Sequence, residues 1–133
     1  MSHPSPGAPV RILCVDDEPY ILRSLAYVLR REGFEVFEGR HGEEAIELAE
    51  RLLPALIFLD VMMPRANGYE VCARLRRDPR LRAVPIVFLS ARGQESDRDE
   101  GLDVGATRYV TKPFSPALIA RLARELTSAT ANG

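Results

Sequence analysis

The chain has 133 residues, of which 46% are hydrophobic and 28% are charged, and its formal net charge is -1. This length and composition favour one globular domain. The near-zero charge gives no electrostatic reason to expect direct binding to nucleic acid or a membrane surface, and no apolar run approaches the roughly 18 residues of a membrane span.

The ends of the chain read differently from its middle. Residues 1–9 are rich in proline and small residues and lack the basic and apolar regions of a signal peptide. We therefore predict a disordered leader at 1–9, one domain at 10–127, a flexible tail at 128–133 and a cytoplasmic location. Cys14 and Cys72 are far apart without metal-ligand spacing, and both are predicted to be buried apolar residues.

Strand-like apolar runs alternate with helical patterns along the predicted domain. The strands are expected at about 10–15, 35–37, 55–59, 85–89 and 107–110. The helices are expected from Pro19 to just before Gly33, then at about 43–53, 69–77 and 95–104, and from Ser115 to about 127. This alternation predicts an α/β fold, a single doubly wound (βα)5 domain with a five-stranded parallel sheet and helices on both faces.

Three aspartates and the chain's only lysine stand where predicted strands end. Asp16 and Asp17 follow the first strand, Asp60 follows the third, and Lys112 follows the fifth. Parallel strands end at one edge of the sheet, which is where open α/β sheets bind ligands. Every other basic side chain of the Lys and Arg type is arginine, so the single lysine indicates a position that requires a compact, flexible ammonium group.

The chemistry of these residues suggests phosphoryl transfer on a metal-bound carboxylate. Two carboxylates about 4 Å apart repel by roughly 4 kcal/mol at an effective dielectric constant near 20, so the cluster requires a proton or a cation. Oxygen ligands without histidine or cysteine favour Mg²⁺. An aspartate there can act as a nucleophile, Lys112 can neutralise the transferred charge, and the hydroxyl of Ser90, after the fourth strand, can donate to a phosphoryl oxygen. Taken singly, each residue also fits a turn, a helix cap or a solvated charge, so the interpretation depends on their convergence.

In combination these residues resemble the receiver domain of two-component response regulators, from about Arg11 to Leu126. The matching motifs are Asp16-Asp17, Asp60 with Pro64 and Gly68 in the following loop, Ser90-Ala91, and Lys112-Pro113-Phe114. The resemblance implies the flavodoxin-like, CheY-like version of the predicted fold.

The resemblance also implies a role for each residue of the acidic edge, the end of the predicted sheet that carries Asp16, Asp17, Asp60 and Lys112. Asp60 is expected to accept a phosphoryl group from the phosphohistidine of a sensor histidine kinase or phosphotransfer protein. Asp16, Asp17, Asp60 and the backbone carbonyl of Met62 are expected to bind Mg²⁺, for which Mn²⁺ could substitute. Lys112 is expected to pair with the acceptor carboxylate or a phosphoryl oxygen.

A conformational switch is implied as well. Ser90 and Tyr109 match the two switch positions of the family, where the aromatic ring turns inward after phosphorylation, and the Lys112-Pro113 bond is expected to be cis. The predicted acidic helix at 95–104, the fifth strand and the last helix are expected to form the face that responds. This face would contact a downstream protein or an output domain, so we interpret the chain as a signalling switch that catalyses its own phosphorylation and dephosphorylation and not as a conventional enzyme.

Three other functions are compatible with parts of the pattern. A phosphatase of the haloacid-dehalogenase type carries a second aspartate two residues after its nucleophile, where this chain has Met62. A nucleotide- or flavin-binding module needs a glycine-rich loop after the first strand, where this chain has Asp16-Asp17-Glu18. A receiver that serves only as an unphosphorylated docking module would share the fold without the chemistry.

A basic run lies near the end of the third predicted helix and in the segment after it. Its members are Arg74, Arg76, Arg77, Arg80 and Arg82. Two interpretations are open: a solvated face and loop, or a docking surface for an acidic partner or for the acidic helix of another copy of the chain.

Overall fold

A computed structural model describes residues 8–63, 67–91 and 105–132 of the chain. The predicted acidic helix at 95–104, the loop proline Pro64 and most of the predicted leader lie outside the described residues. The predictions of a disordered leader and of an acidic helix in the switch face therefore stay predictions.

Five strands and four helices make up the described residues. The strands are β1 (Arg11–Val15), β2 (Glu35–Gly39), β3 (Leu56–Asp60), β4 (Ile86–Ala91) and β5 (Arg108–Lys112), and the helices are α1 (Pro19–Arg31), α2 (Gly42–Leu52), α3 (Gly68–Arg77) and α4 (Pro116–Asn132). All strand pairs are parallel, in the order β2-β1-β3-β4-β5. The predicted α/β fold with one parallel five-stranded sheet is confirmed.

The sheet separates two apolar clusters, because successive side chains of a strand point to opposite faces. On one face, Phe58 and its neighbours pack against α1 and α4; on the other, Phe88 and its neighbours pack against α2 and α3. Residues 56–60 of β3 are all buried. That pattern is expected of a central parallel strand covered on both sides, and it explains the uninterrupted apolar run in the sequence.

Local sequence signals account for where the helices begin. Pro19 occupies the first turn of α1, the side chain of Asn67 accepts a hydrogen bond from the Glu70 N–H at 3.0 Å, and Ser115 Oγ accepts one from the Leu118 N–H at 3.2 Å. Gly33, just after α1, has φ +95, a left-handed conformation that favours glycine.

The last helix is longer than the sequence indicates. We expected the helix to reach about 127, whereas α4 continues to Asn132; the flexibility of the tail at 128–133 stays a prediction. Thr127 is buried and its hydroxyl donates to the Ala123 carbonyl at 2.6 Å, so this polar side chain is satisfied within the helix and does not end it. No helix among the described residues combines the length and apolar character needed to cross a membrane.

Candidate functional site

The acidic edge lies where the direction of strand addition reverses. β1 pairs with β2 on one side and with β3 on the other, so the segments that leave β1 and β3 diverge to opposite faces of the sheet. Such a switch point opens a crevice at the carboxyl ends of the strands. Asp16 follows β1 and Asp60 ends β3, which places both carboxylates in this crevice.

The pleat of the sheet directs three of the site residues to the same face. Asp16, Asp60 and Lys112 each come two residues after a side chain of the cluster under α1 and α4. Those preceding side chains are Cys14, Phe58 and Val110, respectively. Because residues two apart on a strand share a face, the functional groups continue the apolar cluster to the end of the sheet.

Lys112 spans the distance between the strands. β5 and β1 are three strand spacings apart, roughly 14 Å, so a long side chain is needed to join them. The Lys112 Nζ lies 2.8 Å from Asp16 Oδ2, 3.4 Å from Asp60 Oδ1 and 4.0 Å from Glu18 Oε1. The peptide bond between Lys112 and Pro113 is cis, which is the isomer that the family resemblance implies.

The three aspartates form a group with the donor chemistry of a hard-cation site. Ligand oxygens of Asp16, Asp17 and Asp60 all lie within 4.8 Å of one another. Asp16 and Asp60 are buried and Asp17 is exposed, so the group opens to solvent on one side. Buried Asp16 Oδ2 meets Lys112 as an ion pair, but no described group gives it a hydrogen bond of good geometry. An all-oxygen set with an under-satisfied buried carboxylate fits Mg²⁺.

Burial and mutual repulsion perturb the ionisation of the site. Burial, followed by the charge of Asp16, raises the pKa of Asp60 to about 7 from an ordinary value of 3.8. Lys112 and the Met62 N–H oppose that rise but do not cancel it. Burial lowers the pKa of the Lys112 ammonium, but the close carboxylates of Asp16 and Asp60 outweigh burial and leave the pKa raised. One ammonium is therefore too little positive charge for two buried carboxylates.

Met62 and Gly68, two described residues that follow β3, lie close to Asp60. The Met62 N–H donates to Asp60 Oδ1 at 3.2 Å, and the Gly68 N–H donates to the Val61 carbonyl at 2.8 Å. A Cβ atom on Gly68 would lie 2.5 Å from the Asp60 carbonyl oxygen, so only glycine permits this approach of α3. The structure thus brings Met62 to the site through its N–H, while the ligand role of its carbonyl stays a prediction.

The two predicted switch residues lie toward the other face of the sheet. Ser90 is buried and its hydroxyl donates to the Ala91 carbonyl at 3.2 Å. Tyr109 is half-buried, and its hydroxyl lies 2.9 Å from that of Tyr69. Their switch roles stay a prediction. The contribution of Tyr69 was missed from the sequence, where it reads only as the first apolar residue of a helix.

The arginines of the basic run have different surroundings in the structure. Arg76 turns inward and donates five hydrogen bonds to the carbonyl oxygens of Leu81, Arg82, Val84 and Gly105. Arg80 pairs with Asp78 at 2.9 Å. Neither interpretation made from the sequence describes Arg76, which joins α3 to the segments entering β4 and β5.

Comparisons with known families agree with this geometry. The family model for the response regulator receiver domain matches residues 12–124. The alkaline phosphatase synthesis transcriptional regulatory protein PhoP of Bacillus subtilis is 47% identical over 106 residues, covering 80% of this chain and 43% of that protein. The phosphate regulon transcriptional regulatory protein PhoB of Rhizobium meliloti is 49% identical over 114 residues, covering 84% and 50%. The chain spans about half the length of these curated relatives.

Solved structures have the same fold. The chemotaxis response regulator CheY4 of Vibrio cholerae superposes with a TM-score of 0.84 at 28% identity, covering 90% of this chain and 99% of that one. The receiver domain of a sensor histidine kinase from Pseudomonas aeruginosa superposes with a TM-score of 0.84 at 30% identity, covering 91% and 99%. That second structure has a magnesium ion coordinated in its active-site cleft.

The raised pKa of Asp60 predicts that Asp60→Asn stabilises the metal-free protein at pH 8. A folded-state pKa above the unfolded value means that folding favours the neutral acid; this contribution is complete below about pH 4 and is lost as the pH rises through about 7. The neutral amide avoids a buried carboxylate, so the free energy of unfolding should rise by on the order of 2 kcal/mol at pH 8 and by less at pH 5. Denaturant titrations in metal-free buffer measure both values.

A suitable control is Glu47→Gln, which neutralises an exposed carboxylate on α2. It should change stability little at either pH. Destabilisation by Asp60→Asn at pH 8, or a gain that shrinks between pH 5 and pH 8, would contradict the assignment of an unfavourable buried charge to Asp60.

Proposed function

The chain belongs to the response regulator receiver domain family, whose members are phosphoacceptors in two-component signalling, and we propose that Asp60 is the residue that accepts the phosphoryl group here. The observation that carries this proposal is the position of Asp60 within the acidic group, 3.4 Å from the Lys112 ammonium. A receiver domain is a signalling module and not a conventional enzyme, so the reaction of interest is the domain's own modification.

The proposed transfer is a substitution at phosphorus. One carboxylate oxygen of Asp60 forms a bond to phosphorus while the bond from phosphorus to the donor breaks, which leaves an acyl phosphate. With a phosphohistidine donor, the leaving imidazole nitrogen keeps the bonding electron pair and is protonated by solvent. Asp60 Oδ1 is held by Lys112 and by the Met62 N–H, so we assign the attack to the other oxygen.

The neighbouring residues position the acceptor and balance charge. Lys112 already faces Asp60 and Asp16, and its ammonium can follow the negative charge as that charge moves onto the phosphoryl oxygens. Ser90 follows Leu89, which pairs with Asp60 across the sheet, and its hydroxyl can turn from the Ala91 carbonyl to a phosphoryl oxygen. These motions would convert a local charge change into a change of backbone contacts along β4 and β5.

Asp16, Asp17, Asp60 and the Met62 carbonyl are the proposed ligands of Mg²⁺, with Mn²⁺ as an alternative ion of similar ligand preference. Bound there, the cation supplies the positive charge that two buried carboxylates and a phosphoryl group require beyond Lys112. Asp17 is exposed, which suits a ligand at the open side of the site.

The proposed partners follow from the family and the relatives. A sensor histidine kinase or a phosphotransfer protein would supply the phosphoryl group, in the cytoplasm. The curated relatives PhoP and PhoB are transcriptional regulatory proteins about twice as long as the matched region. We therefore propose that this domain controls either an output domain or a separate downstream protein, through β5, α4 and the segment between β4 and β5.

Incubation with acetyl phosphate should add one phosphoryl group to the wild-type protein in the presence of Mg²⁺. Intact-mass spectrometry should show this gain, and it should disappear in excess EDTA because the site cannot balance the added charge alone. Asp60→Asn should show no gain under either condition. The denaturant titrations described above supply the control that this variant is folded.

The same experiment has an outcome that rejects the proposal. A wild-type protein that binds Mg²⁺ but remains unmodified by both acetyl phosphate and phosphorylated histidine kinases would be a docking module. A gain that persists in Asp60→Asn would place the acceptor elsewhere.

Lys112→Arg should slow the phosphorylation of Asp60 by about tenfold or more. The guanidinium is a planar fork that cannot bring a compact charge to both Asp16 and Asp60 in the space that the ammonium occupies. A loss of roughly 1.4 kcal/mol in transition-state stabilisation gives that tenfold change. Quench-flow measurement of acyl phosphate formation gives the rates, with Arg108→Lys on the exposed side of β5 as the matched control. Equal rates for wild type and Lys112→Arg would show that any positive charge suffices.

A further inference from the structure

Tyr69 and Tyr109 join two parts of the molecule that the proposed switch must connect. Their hydroxyl oxygens are 2.9 Å apart, and both side chains are half-buried. Tyr69 lies in the first turn of α3 and Tyr109 lies on β5, forty positions along the chain. A hydrogen bond between groups so far apart in sequence fixes the relative position of the two elements.

Phe88 packs against the rings of both tyrosines. It is fully buried on β4, and both tyrosine rings pack against it in T-shaped arrangements. The ring centroids are 5.3 Å apart for Tyr69 and 5.8 Å apart for Tyr109. Edge-to-face packing on this buried ring gives each tyrosine ring one defined position, which we call seated. The hydrogen bond between the hydroxyls forms only when both rings are seated on Phe88.

Tyr69 is tied directly to the acceptor strand. The residue before it, Gly68, donates its N–H to the Val61 carbonyl at 2.8 Å and approaches the Asp60 carbonyl so closely that a side chain there would clash. A shift of the backbone at Asp60 or Val61 must therefore move the start of α3. Tyr69 carries that movement to its hydroxyl.

Tyr109 is tied to the other charged end of the site. It pairs in register with Phe88, and Thr111 pairs in the same way with Ser90. Lys112 follows on the same strand. The hydrogen bond between the two hydroxyls thus connects α3, which packs on the Asp60 backbone, to β5, which carries Lys112.

We propose that Tyr69 is a positioning residue for phosphorylation of Asp60: its hydroxyl holds Tyr109 seated on Phe88, and this seated arrangement is the one that the phosphorylated site requires. The inference rests on the proposed function of Asp60 and adds a residue to it. A two-state position of Tyr109, biased both by the site and by Tyr69, is the physical element through which the two are coupled.

Beryllofluoride, which binds carboxylates in place of a phosphoryl group, provides the test in the presence of Mg²⁺. Its affinity is measured by NMR titration of ring-labelled tyrosine in wild type and Tyr69→Phe. A neutral hydrogen bond contributes about 1 kcal/mol net, so its loss should lower the seated population and weaken beryllofluoride binding by up to about 5-fold. In Tyr69→Phe, the Tyr109 ring signal should move away from its wild-type position and return to it at saturation.

Two further variants separate coupling from packing. Tyr109→Phe should also weaken beryllofluoride binding, and the loss in the double variant Tyr69→Phe/Tyr109→Phe should be smaller than the sum of the two single losses, because both single changes remove the same hydrogen bond. Tyr27→Phe, which removes an exposed hydroxyl from α1, should bind as tightly as wild type. These variants keep the rings, so the packing on Phe88 is preserved.

The outcomes are distinct. Wild-type affinity and an unmoved Tyr109 signal in Tyr69→Phe would overturn the role of Tyr69, as would losses that add in the double variant. Absence of beryllofluoride binding by the wild-type protein, or binding that survives in Asp60→Asn, would reject the proposed function itself and with it the role of Tyr69.

Discussion

The central physical constraint is the excess of negative charge at one end of the sheet. Asp16 and Asp60 are buried within reach of a single ammonium, and a third carboxylate stands at the rim. Carboxylates at such distances repel by several kcal/mol even at an effective dielectric constant near 20. Burial of Asp60 and, after it, the charge of Asp16 together raise the pKa of Asp60 to about 7. In the proposed function, a bound cation would relieve this repulsion and allow a phosphoryl group to bind at Asp60.

The rest of the fold supplies the geometry that this constraint demands. Parallel strands carry all the groups to one edge, and the alternation of side chains sends Asp16, Asp60 and Lys112 to the same face. Two apolar clusters hold the strands rigid beneath them. Gly68 lets α3 pack directly on the backbone of Asp60, which puts a helix in immediate contact with the proposed acceptor residue. A small movement of the Asp60 backbone would therefore shift the start of α3.

Much of this arrangement was predictable from the sequence because its signals are local. The continuous apolar run of β3 and the residues that follow each strand locate the sheet and its functional edge, and the single lysine among many arginines singles out Lys112. The side-chain alternation that groups Asp16 with Asp60 is also present in the sequence, where each follows an apolar strand residue by two positions. Contacts between distant elements left no such signal. Arg76 reads as one more surface arginine, yet it binds four backbone carbonyl groups, and the pairing of Tyr69 with Tyr109 depends on how α3 is seated against β5. The length of α4 was underestimated because small polar residues neither favour nor forbid a helix strongly.

The most direct test is a chemical identification of the residue that carries the phosphoryl group. Reduction with borohydride converts an aspartyl phosphate to homoserine with release of phosphate, and tandem mass spectrometry of the digested protein then locates the altered residue. After phosphorylation in the presence of Mg²⁺, the account predicts homoserine at position 60 and unaltered aspartate at positions 16 and 17. Homoserine at Asp16 or Asp17, or its absence from a protein that has gained a phosphoryl group, would contradict the assignment of Asp60 as the acceptor.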